Sequence, residues 1–595
     1  MSWWWRTKPR SALKTVQWFS DFGKLENANW NETDKIHKKS SKGKTIHPVR
    51  RQYVYQVYGP SSSETSYSDF LIGKGDKNDV ESLSRQDKHA FELFGFGFVD
   101  KKGIINVTPV GRRILDKKFD DEDYLKQLLK LRFPNPVQGL NTTNNSDSVV
   151  PLQILCQALD KFKYLNRSEL VLLFGCNTKN DIEKLFTAIE TFREKYNSLP
   201  NKNNKKDVRK ICSEQFAVVN GTLDNKIGTY YDYADAFCRS LTYTGIFKTS
   251  GRSDATQIKV AAYSKTKFDL LLKSYNFDIE FDNTLEKYME WFGNPDATPL
   301  PWDSIVSRKT IIQEKIEMIK RLKDNKDFVN DYPEKVDTFI EDVISKANKM
   351  LRKSTTLSDF KDVEKYLVGV LTTINEKKYI YIDSKTRASR KEILKKYDEI
   401  IKSIDDMGAL WLEVNTWKSL LAINGSQEVK RNFQIEEDLS PKSFAPGIGN
   451  TPDMEMYIDD FIVIPEVSLM TGIQQWEHEA SSVIDHVYSF IEGNKSKKVI
   501  GLFISSSINI RTKWQFFILN RESWIATPVP VVPMTIKQYK EIIEVFYNKD
   551  LDIFQFINLI SKIKECAFKS NNYSEWFENT QNIIGKWKAE TLLAQ

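Results

Sequence analysis

The sequence predicts a multi-domain α+β protein, and three regional patterns within its 595 residues support that class. The first half alternates helices with short strand pairs, the middle is purely helical, and the last third alternates helices with extended apolar segments. At this length, roughly four units of ordinary domain size are expected. The alternation in the last third predicts an α/β region with a mixed sheet.

A helix, a strand pair and a second helix follow one another twice in the first half. The first strand pair flanks Lys101-Lys102-Gly103, and Thr108-Pro109 opens the next helix with a cap and a first-turn proline. The second pair flanks a Ser-Gly-Arg-Ser turn at 250–253. Cationic hairpin tips are typical of winged-helix DNA-binding units, although such units also serve as protein-contact modules. We therefore predict winged-helix-like subdomains over residues 1–150 and 151–285.

Clusters of helix-breaking residues divide the rest of the chain. Gly293-Asn294-Pro295 and Pro299-Leu300-Pro301 predict a linker over residues 286–303. Residues 304–405 carry apolar stripes at helical spacing and are predicted to form a helical connector. Residues 406–595 form the predicted α/β core, and these last two parts together make one C-terminal domain, 304–595.

Charge and cysteine content limit the class of partner. The net charge is +7, while the first sixty residues hold twelve Lys or Arg and four acids, a local balance of +8. Such a basic end fits a surface that faces a phosphate backbone, and ordinary solvated lysines explain it equally well. Five dispersed cysteines argue against a disulfide framework or a zinc ribbon. Without an apolar run of ~18 residues, we expect a soluble, cytoplasmic protein with no membrane span.

Residues 451–467 predict a hairpin whose open end carries two carboxylates. Asp459-Asp460 interrupts two apolar segments and suits a tight turn, so Asp453 and Glu466, at equal distances from that turn, are expected to oppose each other. Opposed residues lie about 4.5–5.5 Å apart at Cβ, and two carboxylates that close repel unless a cation lies between them. The arrangement is typical of a Mg²⁺ site for phosphodiester chemistry, which makes a nuclease the leading hypothesis.

Two helices around the hairpin carry further polar residues at the borders of their apolar faces. On the helix predicted near 472–492, Gln475, Glu479 and His486 lie along one border, although an ordinary amphipathic helix would show the same pattern. Glu413 lies at the shoulder of the stripe on the 408–423 helix, where a carboxylate needs a cation unless it reaches solvent. Helical spacing places three residues on the opposite side of this helix, where we expect them to face solvent: Glu477, His478 and Asp485.

These motifs resemble a known group of enzymes. Pro452-Asp453 followed by Glu466-Val467-Ser468 is similar to the PD-(D/E)xK nuclease pattern, with Ser468 in the usual lysine position. Over most of its length the chain resembles the AlwI/BstNBI family of type IIS restriction and site-specific nicking endonucleases. The further segments that carry this likeness are Gly449–Glu455, Asp460–Val463, Gln475, Glu479, His486, Gly95–Asp100, Leu125–Leu128 and Tyr243–Phe247.

The resemblance implies that DNA recognition and DNA cleavage lie in different parts of the chain, and it implies a set of site residues. It implies N-terminal winged-helix-like DNA recognition and a C-terminal PD-(D/E)xK cleavage domain that cuts duplex DNA with Mg²⁺ a few base pairs outside a short asymmetric site. Asp453 and Glu466 would bind the metal together with the Val467 carbonyl. The catalytic set that it implies is Asp453, Glu466, Glu479, His486 and Glu413.

The expected DNA contacts come from basic residues around the first strand pair. Arg85 matches a basic position of the family, and arginine is the usual bidentate reader of guanine. The other candidates, for which a solvated side chain is the alternative, are Lys88, Lys101, Lys102, Arg112 and Arg113. Because Ser468 replaces the usual lysine, more of the catalysis would fall to the metal, to His486 or to the nearby Lys418.

The sequence is compatible with three functions. The first is a restriction or nicking endonuclease, in which a double-strand break needs a homodimer or a second nuclease subunit. The second is a non-catalytic winged-helix regulator that binds DNA without cutting it. The third is a nuclease of a transposon or repair system, which would cut at particular DNA structures instead of a base sequence.

Overall fold

The structure is a computed structural model in which the chain forms two compact units, residues 1–311 and 312–595. The sequence predicts finer boundaries at residues 150, 285, 303 and 405, and these boundaries and the functions of the segments between them remain predictions. Among the described residues, no helix is both long and apolar enough to cross a bilayer. The described residues are 4–33, 46–59, 65–71, 80–138, 148–201, 204–222, 227–250, 256–277, 284–322, 336–402, 407–426, 428–443, 451–521 and 527–593.

The first unit is built mainly from helices, with two small antiparallel sheets. Its helices are α1 (Ala12–Gly23), α2 (Pro48–Tyr58), α3 (Tyr67–Leu71), α4 (Val80–Leu93), α5 (Pro109–Leu115), α6 (Asp121–Lys130), α7 (Pro151–Phe162), α8 (Arg167–Leu173), α9 (Ile182–Asn197), α10 (Lys205–Asn220), α11 (Ile227–Thr242), α12 (Lys265–Ser274) and α13 (Leu285–Phe292). Its strands are β1 (Gly97–Val99), β2 (Ile105–Val107), β3 (Tyr164–Asn166), β4 (Phe247–Ser250) and β5 (Gln257–Val260).

The first predicted helix–hairpin–helix order is confirmed. Strands β1 and β2 pair with Gly97 opposite Val107. The Thr108 hydroxyl accepts from the Gly111 N–H at 3.1 Å and so caps α5 as predicted. Gly111 is required there, because a Cβ would lie 2.0 Å from the Phe96 carbonyl oxygen.

The second helix–hairpin–helix order is also present, with a third strand that the sequence did not reveal. Strand β5 lies between β3 and β4, so the sheet order is β3-β5-β4 with antiparallel pairing throughout. A three-residue strand such as Tyr164–Asn166 is too short to show an alternating pattern. The Ser-Gly-Arg-Ser turn extends beyond the described residues. All five cysteines are free and buried, as expected.

The second unit combines a helical layer with a mixed sheet. Its helices are α14 (Ile305–Arg321), which begins in the first unit, α15 (Val336–Lys353), α16 (Leu357–Lys378), α17 (Arg387–Ile401), α18 (Gly408–Leu421), α19 (Ser481–Gly493), α20 (Ile510–Arg521), α21 (Ile536–Asn548), α22 (Ile553–Lys569) and α23 (Tyr573–Leu593). Its strands are β6 (Val429–Arg431), β7 (Met454–Ile458), β8 (Phe461–Ser468), β9 (Lys498–Ser505) and β10 (Val531–Thr535). A helical turn Gly472–Gln474 and a π-helical turn Gln475–Ala480 lead into α19.

The five-stranded sheet confirms the predicted mixed topology. Its order is β10-β9-β8-β7-β6, with β6, β7 and β8 antiparallel and β8, β9 and β10 parallel. Strands β7 and β8 pair with Met456 opposite Val463, which is the register that the turn at Asp459-Asp460 predicts. One face, including Met456 and Val463, packs on α18, while Ile462 and Ile464 on the other face pack on α19.

The helical stripes of the connector pack on one another, as their spacing predicts. Ile312, Ile316 and Ile319 of α14 share a buried cluster with α15 and α16. Helix α14 also carries a buried ion pair, in which Lys315 Nζ lies 2.6 Å from Glu437 Oε1. The two side chains are only 4% and 6% exposed, so neither charge is solvated by bulk water.

Removing one member of this pair is predicted to destabilise the second unit. Glu437→Ala removes the carboxylate that lies beside the buried Lys315 ammonium, which costs about 3–5 kcal/mol. We expect a lower urea midpoint by tryptophan fluorescence, with recovery when Lys315→Met and Glu437→Leu are combined. Glu317→Ala removes an exposed pair with Lys320 on the same helix and serves as the control, with an unchanged midpoint. Equal midpoint shifts for Glu437→Ala and Glu317→Ala would contradict this account.

Candidate active site

The open end of the β7–β8 hairpin brings Asp453 and Glu466 together. The Val467 N–H donates to Asp453 Oδ2 at 2.9 Å, and the Asp453 N–H lies 3.4 Å from Glu466 Oε2. Asn432 holds the chain in this position, because its N–H donates to the Asp453 carbonyl oxygen and its side-chain amide to that of Pro452. Sequence reasoning missed this role, because a single asparagine carries no periodic pattern.

The segment leading into α19 adds a histidine and a third carboxylate. His486 Nδ1 lies 2.6 Å from Glu466 Oε1, and Ser468 donates a hydrogen bond to Glu479. Ser468 also accepts from the Met470 N–H at 3.0 Å. The serine at the usual lysine position therefore holds a carboxylate in place of supplying a cation. The residues predicted to face solvent are exposed: Glu477, His478 and Asp485.

Glu413 of α18 completes a group of four acids that repel one another. Burial and then the charges of Glu466 and Glu479 raise the pKa of Glu413 to about 7. Burial, Glu466 and Glu413 raise the pKa of Asp453 well above its ordinary value, and burial and Glu466 raise that of Glu479. The hydrogen bond to Glu466 raises the pKa of His486, which favours its protonated form. A divalent cation would offset this repulsion directly.

The donor set fits a hard cation that keeps water ligands. Within the described ranges, no group of three or more His, Cys, Asp or Glu side chains is placed to hold a metal ion. Asp453 and Glu466 bring two carboxylates to one strand end, and Mg²⁺ characteristically takes one or two carboxylates while retaining several waters. The residues present therefore fit Mg²⁺ better than zinc, which prefers closed sets of Cys and His.

Gln475 does not face the carboxylates, in contrast to the helical-wheel prediction. Its side-chain amide donates to the Met470 carbonyl, the Ser505 hydroxyl and the Ser507 carbonyl at 2.8–2.9 Å, and its oxygen accepts from the Asn509 N–H at 2.7 Å. It thus fastens the segments that follow β8 and β9. The wheel failed because Gln475–Ala480 is π-helical, so each residue turns by less than the assumed 100°.

Lys418, a predicted substitute for the missing lysine, lies against two aromatic rings. Its ammonium lies 5.4 Å from the Tyr379 ring centre and 5.9 Å from that of Trp411. Five residues separate it from Glu413, which is about 140° around an α-helix. The charges that raise the pKa of Glu413 are those of Glu466 and Glu479.

The predicted DNA contacts divide into surface cations and internally paired ones. Arg85 on α4 is exposed, and Lys101 and Lys102 are exposed at the tip of the β1–β2 hairpin. Lys101 is 81% exposed and lies 3.8 Å from Glu286. These three groups remain candidates for contacts with DNA.

The other three basic candidates are engaged by acids of the first unit. Their partners are Glu92 for Lys88 at 2.9 Å, Glu26 for Arg112 at 2.6 Å and Asp123 for Arg113 at 2.8 Å. Glu92 and Asp123 are buried, so Lys88 and Arg113 neutralise acids that would otherwise be costly to bury. Sequence spacing reveals the Lys88–Glu92 pair at one helical turn, but not the distant Arg112–Glu26 pair.

Comparison with known proteins identifies the family. The model of the AlwI restriction endonuclease family matches residues 94–542. The chain belongs to the AlwI restriction endonuclease family. It is therefore a restriction-type nuclease, and all the acids of the candidate site lie within the matched residues.

A structure search lists one similar protein of the same functional class. It is the small subunit (R.BspD6I2) of the heterodimeric restriction endonuclease R.BspD6I, with 20% sequence identity and a TM-score of 0.28. The match covers 33% of this AlwI-family chain and 98% of that subunit. No curated protein sequence matches the chain.

Glu413→Gln is predicted to stabilise this AlwI-family protein in metal-free buffer at pH 8. The pKa of Glu413 is near 7 when folded and 4.5 in its ordinary state, so the native state binds the extra proton and wild-type stability falls as pH rises between these values. Neutral glutamine removes that loss, a gain of at most about 3 kcal/mol. We expect a higher Tm than wild type at pH 8 and no such gain at pH 4.5, by differential scanning calorimetry.

Glu477→Gln is the matched control, because Glu477 is exposed near the same site. Its Tm should follow that of the wild type at both pH values. If Glu413→Gln is less stable than wild type at pH 8, the carboxylates do not repel one another in the manner described.

Proposed function

We propose that this chain is a Mg²⁺-dependent type IIS endonuclease or nicking endonuclease. It would bind a short asymmetric duplex site and hydrolyse a phosphodiester bond a few base pairs outside it. The observation that carries the proposal is the group of four carboxylates at the open end of the β7–β8 hairpin, accompanied by His486. Buried like charges without a structural role are costly, which favours a divalent cation and an anionic substrate.

The topology supports the two finer fold assignments. An antiparallel strand pair that carries the acids, followed by a helix and parallel strands, agrees with a PD-(D/E)xK core over residues 406–595. In the first unit, a helix precedes each of two antiparallel hairpins, and the order β3-β5-β4 agrees with a winged-helix arrangement. Both assignments match the division between DNA recognition and cleavage that the family resemblance implies.

The site residues have distinct roles in the proposed hydrolysis. Asp453, Glu466 and the Val467 carbonyl would hold Mg²⁺, which when bound acidifies water and neutralises charge on the scissile phosphate. Glu479, fixed by Ser468, accepts the proton of the attacking water, and its raised pKa brings it nearer to that of an effective base at neutral pH. His486 orients Glu466 through their hydrogen bond. The water attacks in line with the P–O3′ bond, which breaks, and the leaving 3′-oxygen takes a proton from solvent, so the products are a 5′-phosphate and a 3′-hydroxyl.

A single site of this kind cuts one strand in each engagement. A double-strand break therefore needs a second site, which we propose comes from a second copy of the chain or from a separate nuclease subunit. Where neither partner docks, the product is a nick. The number of strands cut thus reports association and is independent of the chemistry at Asp453.

Asp453→Asn is predicted to abolish Mg²⁺-dependent cleavage and to leave DNA binding intact. The amide keeps the size of the side chain but removes the charge that holds the metal, so we expect at least about a 10³-fold loss of rate, roughly 4 kcal/mol in the barrier. Supercoiled plasmid measures cleavage, and gel shift in Ca²⁺ measures binding. Asp460→Asn, at the exposed turn of the same hairpin, is the control and should cut normally. Full activity of Asp453→Asn would refute the site assignment.

Mapping the cut ends separates the proposal from its alternatives. Purified protein, plasmid DNA and Mg²⁺, followed by run-off sequencing of both strands, should show breaks at a fixed distance from one asymmetric sequence. A non-catalytic regulator would give no breaks with Mg²⁺ or Mn²⁺. A nuclease of a transposon or repair system would cut at DNA structures without a shared sequence. Either of these two results would overturn the proposal.

A further inference from the structure

Two helices of the first unit occupy equivalent positions in the chain. Helix α4 directly precedes the β1–β2 hairpin, and α11 directly precedes the β4–β5 hairpin. In a winged-helix unit, the helix in this position enters the major groove of DNA. The outward faces of the two helices differ in a way that separates their roles.

The outward face of α4 carries a row of polar side chains suited to reading base edges. Arg85 is exposed, and the side chain of His89 is 39% exposed with its Nδ1 engaged by Glu92. Gln86 is partly exposed and donates to the Ser82 hydroxyl at 3.1 Å. Arg85 and Gln86 each lie three or four residues from both Ser82 and His89, so the four side chains lie along one side of the helix. They include the residue types that bind guanine and adenine edges in the major groove.

Other side chains of α4 hold the helix in place, and its acidic residues have hydrogen-bond or ion-pair partners. On the inner face, Asp87 accepts hydrogen bonds from Tyr53 and Tyr58, both at 2.9 Å. At the start of the helix, Glu81 lies 2.9 Å from Arg50. The hairpin that follows adds the exposed Lys101 and Lys102, so the surface around the row is cationic and complementary to phosphate.

Helix α11 carries two aspartates, Asp232 and Asp235, and the N-terminal segment packs against it. Arg10 lies 3.0 Å from Asp232 and 3.4 Å from Asp235. The Trp5 ring packs 4.7 Å from that of Phe237, centre to centre. To enter a groove of DNA, this helix would have to release the N-terminal segment and lose the ion pairs that Arg10 forms with Asp232 and Asp235.

We propose that α4 alone of these two helices reads the DNA sequence, and that α11 serves as a structural helix locked by residues 4–11. Arg85 binds a guanine and Gln86 an adjacent adenine, while Lys101 and Lys102 hold the flanking phosphates. The inference rests on the proposed function, because it assumes that the chain binds duplex DNA at a particular sequence.

Selection from a random duplex library tests this assignment without cleavage. The full chain is incubated with the library in Ca²⁺, and bound duplexes are sequenced. The variants are Arg85→Ala, Arg85→Lys and Gln86→Ala on α4, with Asp232→Asn as the matched control on α11. Melting curves confirm that each variant is folded, and Arg85→Lys retains the charge while removing the bidentate fork.

The wild type should enrich one short asymmetric motif. We expect both Arg85 variants to lose roughly tenfold or more of the preference at one guanine, and Gln86→Ala to relax a neighbouring adenine. Asp232→Asn should keep the full motif. An unchanged motif in the Arg85 variants, a motif altered by Asp232→Asn, or no motif for the wild type would overturn the inference.

Failure of this inference differs from failure of the proposed function. If only the reading helix is wrongly assigned, the wild type still cuts plasmid at a fixed sequence with Mg²⁺. If the proposed function is wrong, that cleavage is absent whatever the selection shows.

Discussion

Mutual repulsion among four buried or half-buried carboxylates is the constraint on which the site depends. The register of β7 and β8 brings Asp453 beside Glu466, and the surrounding helices add Glu413 and Glu479. Burial and the neighbouring charges raise the pKa of Asp453, Glu413 and Glu479, and that of Glu413 reaches about 7. Keeping such charges together costs free energy, which is typical of a site preorganised for a cation and for the phosphate that the cation attracts.

The supporting residues explain how such a group stays in place. Asn432 fixes the backbone before β7, Ser468 holds Glu479, and His486 holds Glu466. Gln475 ties the segments after β8 and β9 to the π-helical turn that delivers Glu479. The usual lysine position therefore serves positioning in this chain, and in the proposed mechanism the metal and His486 would supply the positive charge.

The sequence predicted the parts of the site that depend on local order. The turn at Asp459-Asp460 determines the hairpin register, and helical spacing correctly exposed Glu477. It could not show the π-helical turn, which displaces Gln475 from the predicted face, nor the pairing of β3 with β5 across some ninety residues. The sequence also could not show which basic residues form ion pairs, because ion pairs between distant segments depend on the tertiary fold.

Binding of Mn²⁺ to the DNA-free protein tests the central claim most directly. Electron paramagnetic resonance reports the free ion, and calorimetry at pH 6.5 in two buffers reports protons released on binding. The account predicts that wild type binds Mn²⁺ with proton release, because carboxylates of raised pKa must ionise, and that Glu466→Gln binds far more weakly. Equal binding by the two proteins, or binding without proton release, would contradict it.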